Sequence, residues 1–190
     1  MAEIIDDNYE TLATHQDASV WPTATTWGLI SAGVGFVLLL LQYLTGSFDI
    51  DPDTGQPAGG VIWTLLGYGV TIALIYFGLR TYRDKDNEGH LSLGKGVVWS
   101  LAFGLIGGLL GAVLVYIMFA FIAPDILETM RFAQEAILEE QGLSGQELES
   151  AMQMSGMFVT PVSFALFGLL GSVIGSAIIG LIVSLFLKTT

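Results

Sequence analysis

The chain is predicted to be an all-α integral membrane protein of four transmembrane helices, and three observations carry that prediction. First, residues 18–48, 54–79, 96–124 and 150–187 contain no Asp, Glu, Lys or Arg. Each run exceeds the roughly 20 apolar residues that a helix needs to cross a hydrocarbon core about 30 Å thick. Second, 53% of the 190 residues are hydrophobic and only 13% are charged, whereas about 25% charged is usual for a soluble domain. Third, the few bases are sided. Arg80, Arg83, Lys85 and Lys95 lie between the second and third runs and Lys188 follows the fourth, against Arg131 alone in a segment of opposite parity. Lys and Arg in short flanking loops are retained in the cytoplasm, which predicts both termini and the 80–95 loop inside, and the 45–59 loop and the 125–156 segment outside.

Residues 1–24 read as an acidic cytoplasmic tail and residues 25–190 as the membrane domain. The first twenty residues hold five acids, no Lys or Arg, and no apolar core before Val20, so a cleaved leader is not expected. The spans are predicted at about 26–44, 60–80, 96–123 and 158–187. The third begins near Leu93 and is ended by Pro124 and Asp125, and the fourth tolerates Pro161 in its first turn. Aromatic rings suit the headgroup level at both edges: Trp21, Trp27, Tyr82 and Trp99 at the inner one, Tyr43 and Trp63 at the outer.

Residues 125–156 form more than a loop. Ile126, Leu127, Met130, Ala133, Ile137 and Leu138 recur at three- and four-residue spacing opposite Glu128, Arg131, Glu135 and Glu139, the pattern of an amphipathic helix. Phe132 falls on its charged side and Gln134 on its apolar side. Gly142 suits a left-handed helix end, and Ser144 with Glu147 has capping-box spacing, so a second short helix should bury Leu148, Ala151 and Met152. An external amphipathic helical hairpin therefore joins the third and fourth spans.

Small residues are the most patterned feature within the spans. Gly104, Gly107, Gly108 and Gly111 form two interleaved pairs in the third; the fourth holds Gly171 with Gly175 and the series Gly168, Ser172, Ser176, Gly180. Small side chains four apart let backbones approach closely, which matters in lipid because apolar burial alone does not drive helices together. These residues are expected to pack the third and fourth helices, or to meet a second copy or another subunit.

Chemistry is sparse. With no Cys there is no thiolate or disulfide, and a net charge of −12 disfavours nucleic acid as a partner. Proton relays, pumps and voltage sensors need ionisable groups inside the membrane, and the four runs have none. Gln42, Thr64, Tyr68, Thr71, Ser100, Tyr116, Thr160 and Ser163 remain as polar linings or helix-to-helix bonds. Asp49, Asp51 and Asp53 with Gly55 begin like a calcium loop, but the glycine is one place late and Gly60 stands where a bidentate acid belongs, which favours a solvated acidic turn. Met152, Met154 and Met157 could hold a soft cation only if unwound, since the first two point about 200° apart on a helix. His15 and His90 are isolated. Arg80, Arg83, Asp84, Asp86, Glu88 and His90 read as a solvated, topology-setting loop. No catalytic, cofactor-binding or metal-ligating set is assigned.

Residues 81–96, reading Thr-Tyr-Arg-Asp-Lys-Asp-Asn-Glu-Gly-His-Leu-Ser-Leu-Gly-Lys-Gly, the Ala-Pro-Asp exit at 123–125 and a glycine-rich last span ending in Lys188 together resemble an uncharacterised family. It is that of four-span bacterial inner-membrane proteins defined as domain of unknown function 4199, and the likeness covers about residues 27–188. It implies a bacterial inner-membrane location and an acidic helical segment between the last two spans. No enzymatic activity, cofactor, substrate or catalytic residue comes with it. The function expected is a non-catalytic accessory or scaffold subunit of a larger inner-membrane complex, contacting lipid and partner subunits or itself. The alternative is a small oligomeric transporter or lipid-handling protein.

Overall fold

The computed structural model describes residues 18–49 and 60–189. Among them the chain forms six α-helices and no strand: α1 (Trp21–Leu44), α2 (Gly60–Thr81), α3 (Leu93–Ile117), α4 (Asp125–Glu140), α5 (Gly145–Gly156) and α6 (Pro161–Leu187). A π turn at Tyr82–Asp86 prolongs α2, and another at Met118–Ile122 prolongs α3. Four helices are long and apolar enough to cross a membrane: Trp21–Leu44, Gly60–Asp86, Leu93–Ile122 and Pro161–Leu187. The shortest has 24 residues, about 36 Å at 1.5 Å per residue, against a core of about 30 Å.

The starts of α1 and α6 differ from the expected bounds by a few residues, and a proline or a cap explains each shift; α3 starts at the expected residue. α1 begins at Trp21, inside the segment assigned to the tail, because Pro22 occupies the first turn, where a missing N–H costs nothing. α3 begins at Leu93 with Ser92 as its N-cap, the Lys95 N–H donating to Ser92 Oγ at 3.3 Å. α6 begins at Pro161, three residues after the expected start, because Thr160 Oγ1 accepts from the Ser163 N–H at 3.1 Å. Gly142 closes α4 with φ +89°, and Ser144 stands at the N-cap of α5 without a side-chain capping bond. Asp51, Asp53 and Gly55 of the acidic turn, and His15 of the tail, lie outside the described residues.

Two buried clusters set the helix directions. One joins Val20 at the N-cap of α1 and Ala24 within it, Ile75 and Leu79 of α2, Trp99, Ala102 and Phe103 of α3, and Val183 and Leu187 of α6. The other joins Met118, Phe119, Ala123, Ile126 and Leu127, with Phe36, Leu39, Tyr43 and Phe164 packed against it. The start of α1 and of α3 thus meets the end of α2 and of α6. α1 and α3 run one way, and α2 and α6 the other.

Hydrogen bonds staple the first of these ends, where residues 82–92 connect α2 to α3. The Ala18 N–H donates to Asn87 Oδ1 at 2.8 Å, and Tyr82 Oη donates to the Ala18 carbonyl at 2.7 Å. Asn87 Nδ2 donates to the His90 carbonyl at 2.7 Å, and the Thr23 hydroxyl donates to the Asp86 carboxylate. Leu91 and Thr189 exchange two bonds, and Arg83 Nη1 donates to the Leu187 carbonyl at 3.3 Å. Arg83 and Arg80 also share Asp84, at 2.6 and 3.4 Å. Glu88 and Gly89, at φ +51° and +85°, turn the chain sharply enough for this closure.

At the other end α4 leaves the bundle from buried Ile126 and Leu127, and α5 folds back beside it. On α5 only the side with Leu148, Ala151 and Met152 is half-covered, while Phe132 on α4 is 70% exposed.

Asn87 is 3% exposed and ties the Ala18 N–H to the His90 carbonyl, so Asn87→Ala strands buried backbone groups. A loss of about 1–3 kcal/mol is expected. It would be read as a lower unfolding midpoint when the detergent-solubilised chain is titrated with dodecyl sulfate; an unchanged midpoint would remove the staple from the account.

Candidate functional site

α3 is the helix around which the others are arranged, and glycines determine how closely each approaches it. Gly96, Ser100, Gly104 and Gly108 stand four apart on one stripe of α3, and Ser172, Ser176, Gly180 and Ser184 stand four apart on α6. A side-chain carbon added at Gly96 would overlap the Ser184 hydroxyl, and one at Gly180 would overlap Ser100. At Gly104 it would overlap the Ser176 hydroxyl and lie 2.7 Å from the Ser172 carbonyl oxygen; at Gly108 it would lie 2.9 Å from Leu169 Cδ1 and 3.1 Å from Ser172 Cβ. The two stripes therefore run antiparallel in register, glycine facing serine at every step: 96 with 184, 100 with 180, 104 with 176, 108 with 172.

One hydroxyl bonds across this seam, Ser172 Oγ donating to the Gly104 carbonyl at 3.0 Å. Ser100 Oγ and Ser176 Oγ donate within their own helices, to Gly96 at 2.9 Å and Val173 at 3.1 Å. Ser184 Oγ is buried without a hydrogen-bond partner among the described residues.

Other faces of α3 meet the other spans. Gly107 packs backbone to backbone on Gly28 of α1, with an added carbon at Gly107 only 3.0 Å from the Gly28 oxygen. Gly78 of α2 receives the Trp99 ring, whose Cζ2 would lie 2.7 Å from an added carbon. Trp99 in turn stacks on Phe103 at 5.4 Å between ring centres.

Of the small residues singled out in the sequence, the structure brings Gly104, Gly108, Ser172, Ser176 and Gly180 together in the seam and puts Gly107 against α1. It does not bring Gly111, Gly168, Gly171 or Gly175 against another helix: nothing lies within 4 Å of a carbon added at any of them. Residues 171 and 175 sit one step, about 100°, from the stripe that faces α3. Gly28, Gly78, Gly96 and Ser184 were missed as packing positions, while Ser100, expected as a polar lining or a helix-to-helix bond, lies in the seam. Extending the period of four from Gly104 back to Gly96, and from Gly180 on to Ser184, would have placed Gly96, Ser100 and Ser184 there.

The four open glycines line a central cavity. Three adjoining chambers of about 290, 230 and 190 Å³ meet at Ser31 of α1. The largest reaches along α1 to Gln42 past Gly107, Gly111 and Gly168; the others reach Tyr68 and Thr71 of α2 and Gly171 and Gly175 of α6. No Asp, Glu, His, Lys or Arg lines any of the three. The Thr71 hydroxyl is satisfied by the Gly67 carbonyl at 2.8 Å, whereas the Ser31 hydroxyl and the Gln42 amide make no side-chain hydrogen bond among the described residues. The layer of Ile75, Leu79, Trp99 and Phe103 closes the cavity toward the 82–92 connection. Thr64 bonds its own helix, and Thr160 and Ser163 cap α6, so these are not lining groups.

No group of three or more His, Cys, Asp or Glu that could hold a metal occurs among the described residues. Met152, Met154 and Met157 stay on α5 and at its C-cap, Met154 and Met157 both 64% exposed. His90 Nδ1 lies 3.2 Å from the Glu88 carbonyl in the 82–92 connection.

Fold and site define a multi-pass helical membrane protein with a half-open, uncharged cavity between its four spans. A family model described as a protein of unknown function (DUF4199) matches residues 26–189, and the chain belongs to that family. No curated protein and no solved structure matches it.

Two serine substitutions separate bonding from mere proximity in the seam. Ser172→Ala removes the interhelical bond and should cost about 0.6 kcal/mol, the usual worth of such a bond in a membrane bundle. Ser184→Ala removes a buried hydroxyl without a partner and should be neutral or stabilising. Dodecyl sulfate titrations of both variants check the ordering, and the reverse order would contradict the assigned bonds.

Proposed function

We propose that the chain is a non-catalytic accessory or scaffold subunit of a larger bacterial inner-membrane complex, with both termini in the cytoplasm and the α4–α5 hairpin on the opposite side. The observation that carries this reading is the hairpin itself. Neither α4 nor α5 is among the helices able to span a membrane, yet Phe132 of α4, Met154 of α5 and Met157 at its C-cap are 70%, 64% and 64% exposed. Large apolar side chains exposed outside the spans suit a surface that another protein covers. Methionine suits such a surface, because its unbranched, polarizable chain adapts to a partner. The surrounding acids, Glu128, Glu135, Glu139, Glu140, Glu147 and Glu149, give the partner face a basic rim to match.

Orientation rests on charge. Arg80, Arg83, Lys85, Lys95 and Lys188 gather at the stapled end of the bundle, and Arg131 alone is at the hairpin end, where its Nη2 donates to the Val159 carbonyl at 3.1 Å.

The test is extraction of the native membrane in mild detergent and quantitative mass spectrometry of what travels with the tagged full-length chain. A subunit is recovered with other membrane proteins at fixed stoichiometry, and the double variant Phe132→Glu with Met154→Glu loses them at least tenfold while its own unfolding midpoint stays unchanged. Recovery of wild type alone, as a discrete homo-oligomer, would overturn the subunit reading.

A further inference from the structure

We propose that the central cavity is a binding site for one uncharged lipid chain bearing a neutral polar group, a carbonyl or hydroxyl, that enters from the leaflet on the hairpin side. The proposal goes beyond the subunit reading and does not depend on it.

Its length is the first argument. Ser31, Gly35, Leu38 and Gln42 follow one face of α1 and all line the chamber shared with α2. From residue 31 to residue 42 a helix rises about 16 Å, which matches half of a hydrocarbon core of about 30 Å. Gln42 sits about half a turn from the end of α1, which puts it at the depth where ester and hydroxyl groups of lipids reside, and Ser31 is near the middle of the helix. The cavity is as deep as one leaflet, and the Ile75, Leu79, Trp99 and Phe103 layer makes it blind.

Its chemistry is the second. With no Asp, Glu, His, Lys or Arg in the lining, a charged ligand would be left without a counter-charge in a medium of low dielectric. The polar groups of the lining are few, and the Thr71, Ser172 and Ser176 hydroxyls already donate to backbone carbonyls. Gln42 is the lining group that offers two N–H donors without a side-chain partner among the described residues, so it would take the carbonyl or hydroxyl oxygen. The glycines at 35, 107, 108, 111, 168, 171 and 175 supply a smooth wall for methylenes.

Access is the third. Gly168 and Gly171 are exposed, and Tyr68 across from them is 61% exposed, so the cavity opens sideways between α6 and α2 at membrane depth. A ligand can enter from lipid without passing through water.

The experiment uses the full-length chain in phosphatidylcholine vesicles with a diacylglycerol whose acyl chain carries a photoreactive diazirine. Labelling of peptides holding residues 31–42 and 107–115 should saturate and be displaced by unlabelled diacylglycerol. Phosphatidic acid should displace it at least tenfold less well. Gly35→Leu with Gly111→Leu fills open space without touching the seam, and should abolish saturable labelling while leaving the unfolding midpoint within error. Gln42→Ala should weaken displacement several-fold. Labelling that is unsaturable and confined to outward residues such as Leu65 and Phe186 in every variant would overturn the site, as would equal displacement by phosphatidic acid.

Discussion

Helices that already sit in hydrocarbon gain almost nothing by burying apolar surface against one another, so their association needs backbones close enough for dispersion and hydrogen bonding to accumulate. In this chain that requirement is met along one line, where the Gly96, Ser100, Gly104 and Gly108 stripe of α3 lies against the Ser184, Gly180, Ser176 and Ser172 stripe of α6. Everything else follows from α3 being held there. Once that stripe faces α6, the next residue round, Gly107, is directed at Gly28 of α1, and Trp99 is left to fill the notch at Gly78 of α2. The small residues are thus divided between two jobs. Some remove side-chain volume so that helices meet, and others, at 111, 168, 171 and 175, remove volume where no helix comes and so leave the cavity.

The bundle is asymmetric along its length as a result. At the 82–92 end, bulky Trp99, Phe103, Tyr82 and Leu79 fill the space between all four spans, and backbone bonds from Ala18, Asn87, Leu91 and Thr189 tie the connections together. Toward the hairpin, α2 departs from α6 and is held to α1 through the bond from Trp63 Nε1 to Ser47 Oγ at 2.7 Å. Packing is tight where the side chains are large and the connection is short, and open where glycine dominates. A lipid-sized space and a firmly closed end are two consequences of one distribution of residue sizes.

The spans, their number and the helical hairpin were legible in the sequence because long charge-free runs and three-four periodicity are strong, local signals. Element starts were less so: Trp21 and Pro22 were assigned to the tail, while in the structure they open α1, and the fourth span, with Pro161 expected in its first turn, starts at Pro161 itself and not at 158. The seam was half legible. The pairs Gly104/Gly108 and Gly107/Gly111 are equivalent as spacing, and only the position of α1 decides which pair meets α6. Gly28 stands in a series of small residues four apart, Ala24, Gly28 and Ala32, all buried, which marks that face of α1 as a contact face. Gly78 belongs to no repeat, so nothing in the sequence marks it as a contact point. The cavity was illegible for the same reason. Gly171 and Gly175 have the spacing of a packing motif, and their role as cavity wall depends on the distance between α2 and α6, a tertiary quantity. Gln42, Tyr68 and Thr71 were recognisable as polar residues within spans, but not as neighbours around one space.

The register of α3 against α6 is the claim on which the cavity, the position of α1 and the closed end all depend, and the absence of cysteine from the chain makes it directly measurable. Paired cysteines introduced at Gly104 and Ser176, and at Ser100 and Gly180, should form disulfides rapidly in native membranes under mild oxidation, whereas cysteines at Gly104 and Gly175 should not. Efficient crosslinking of the 104–175 pair with none at 104–176 would place a different face of α6 on α3 and contradict the account.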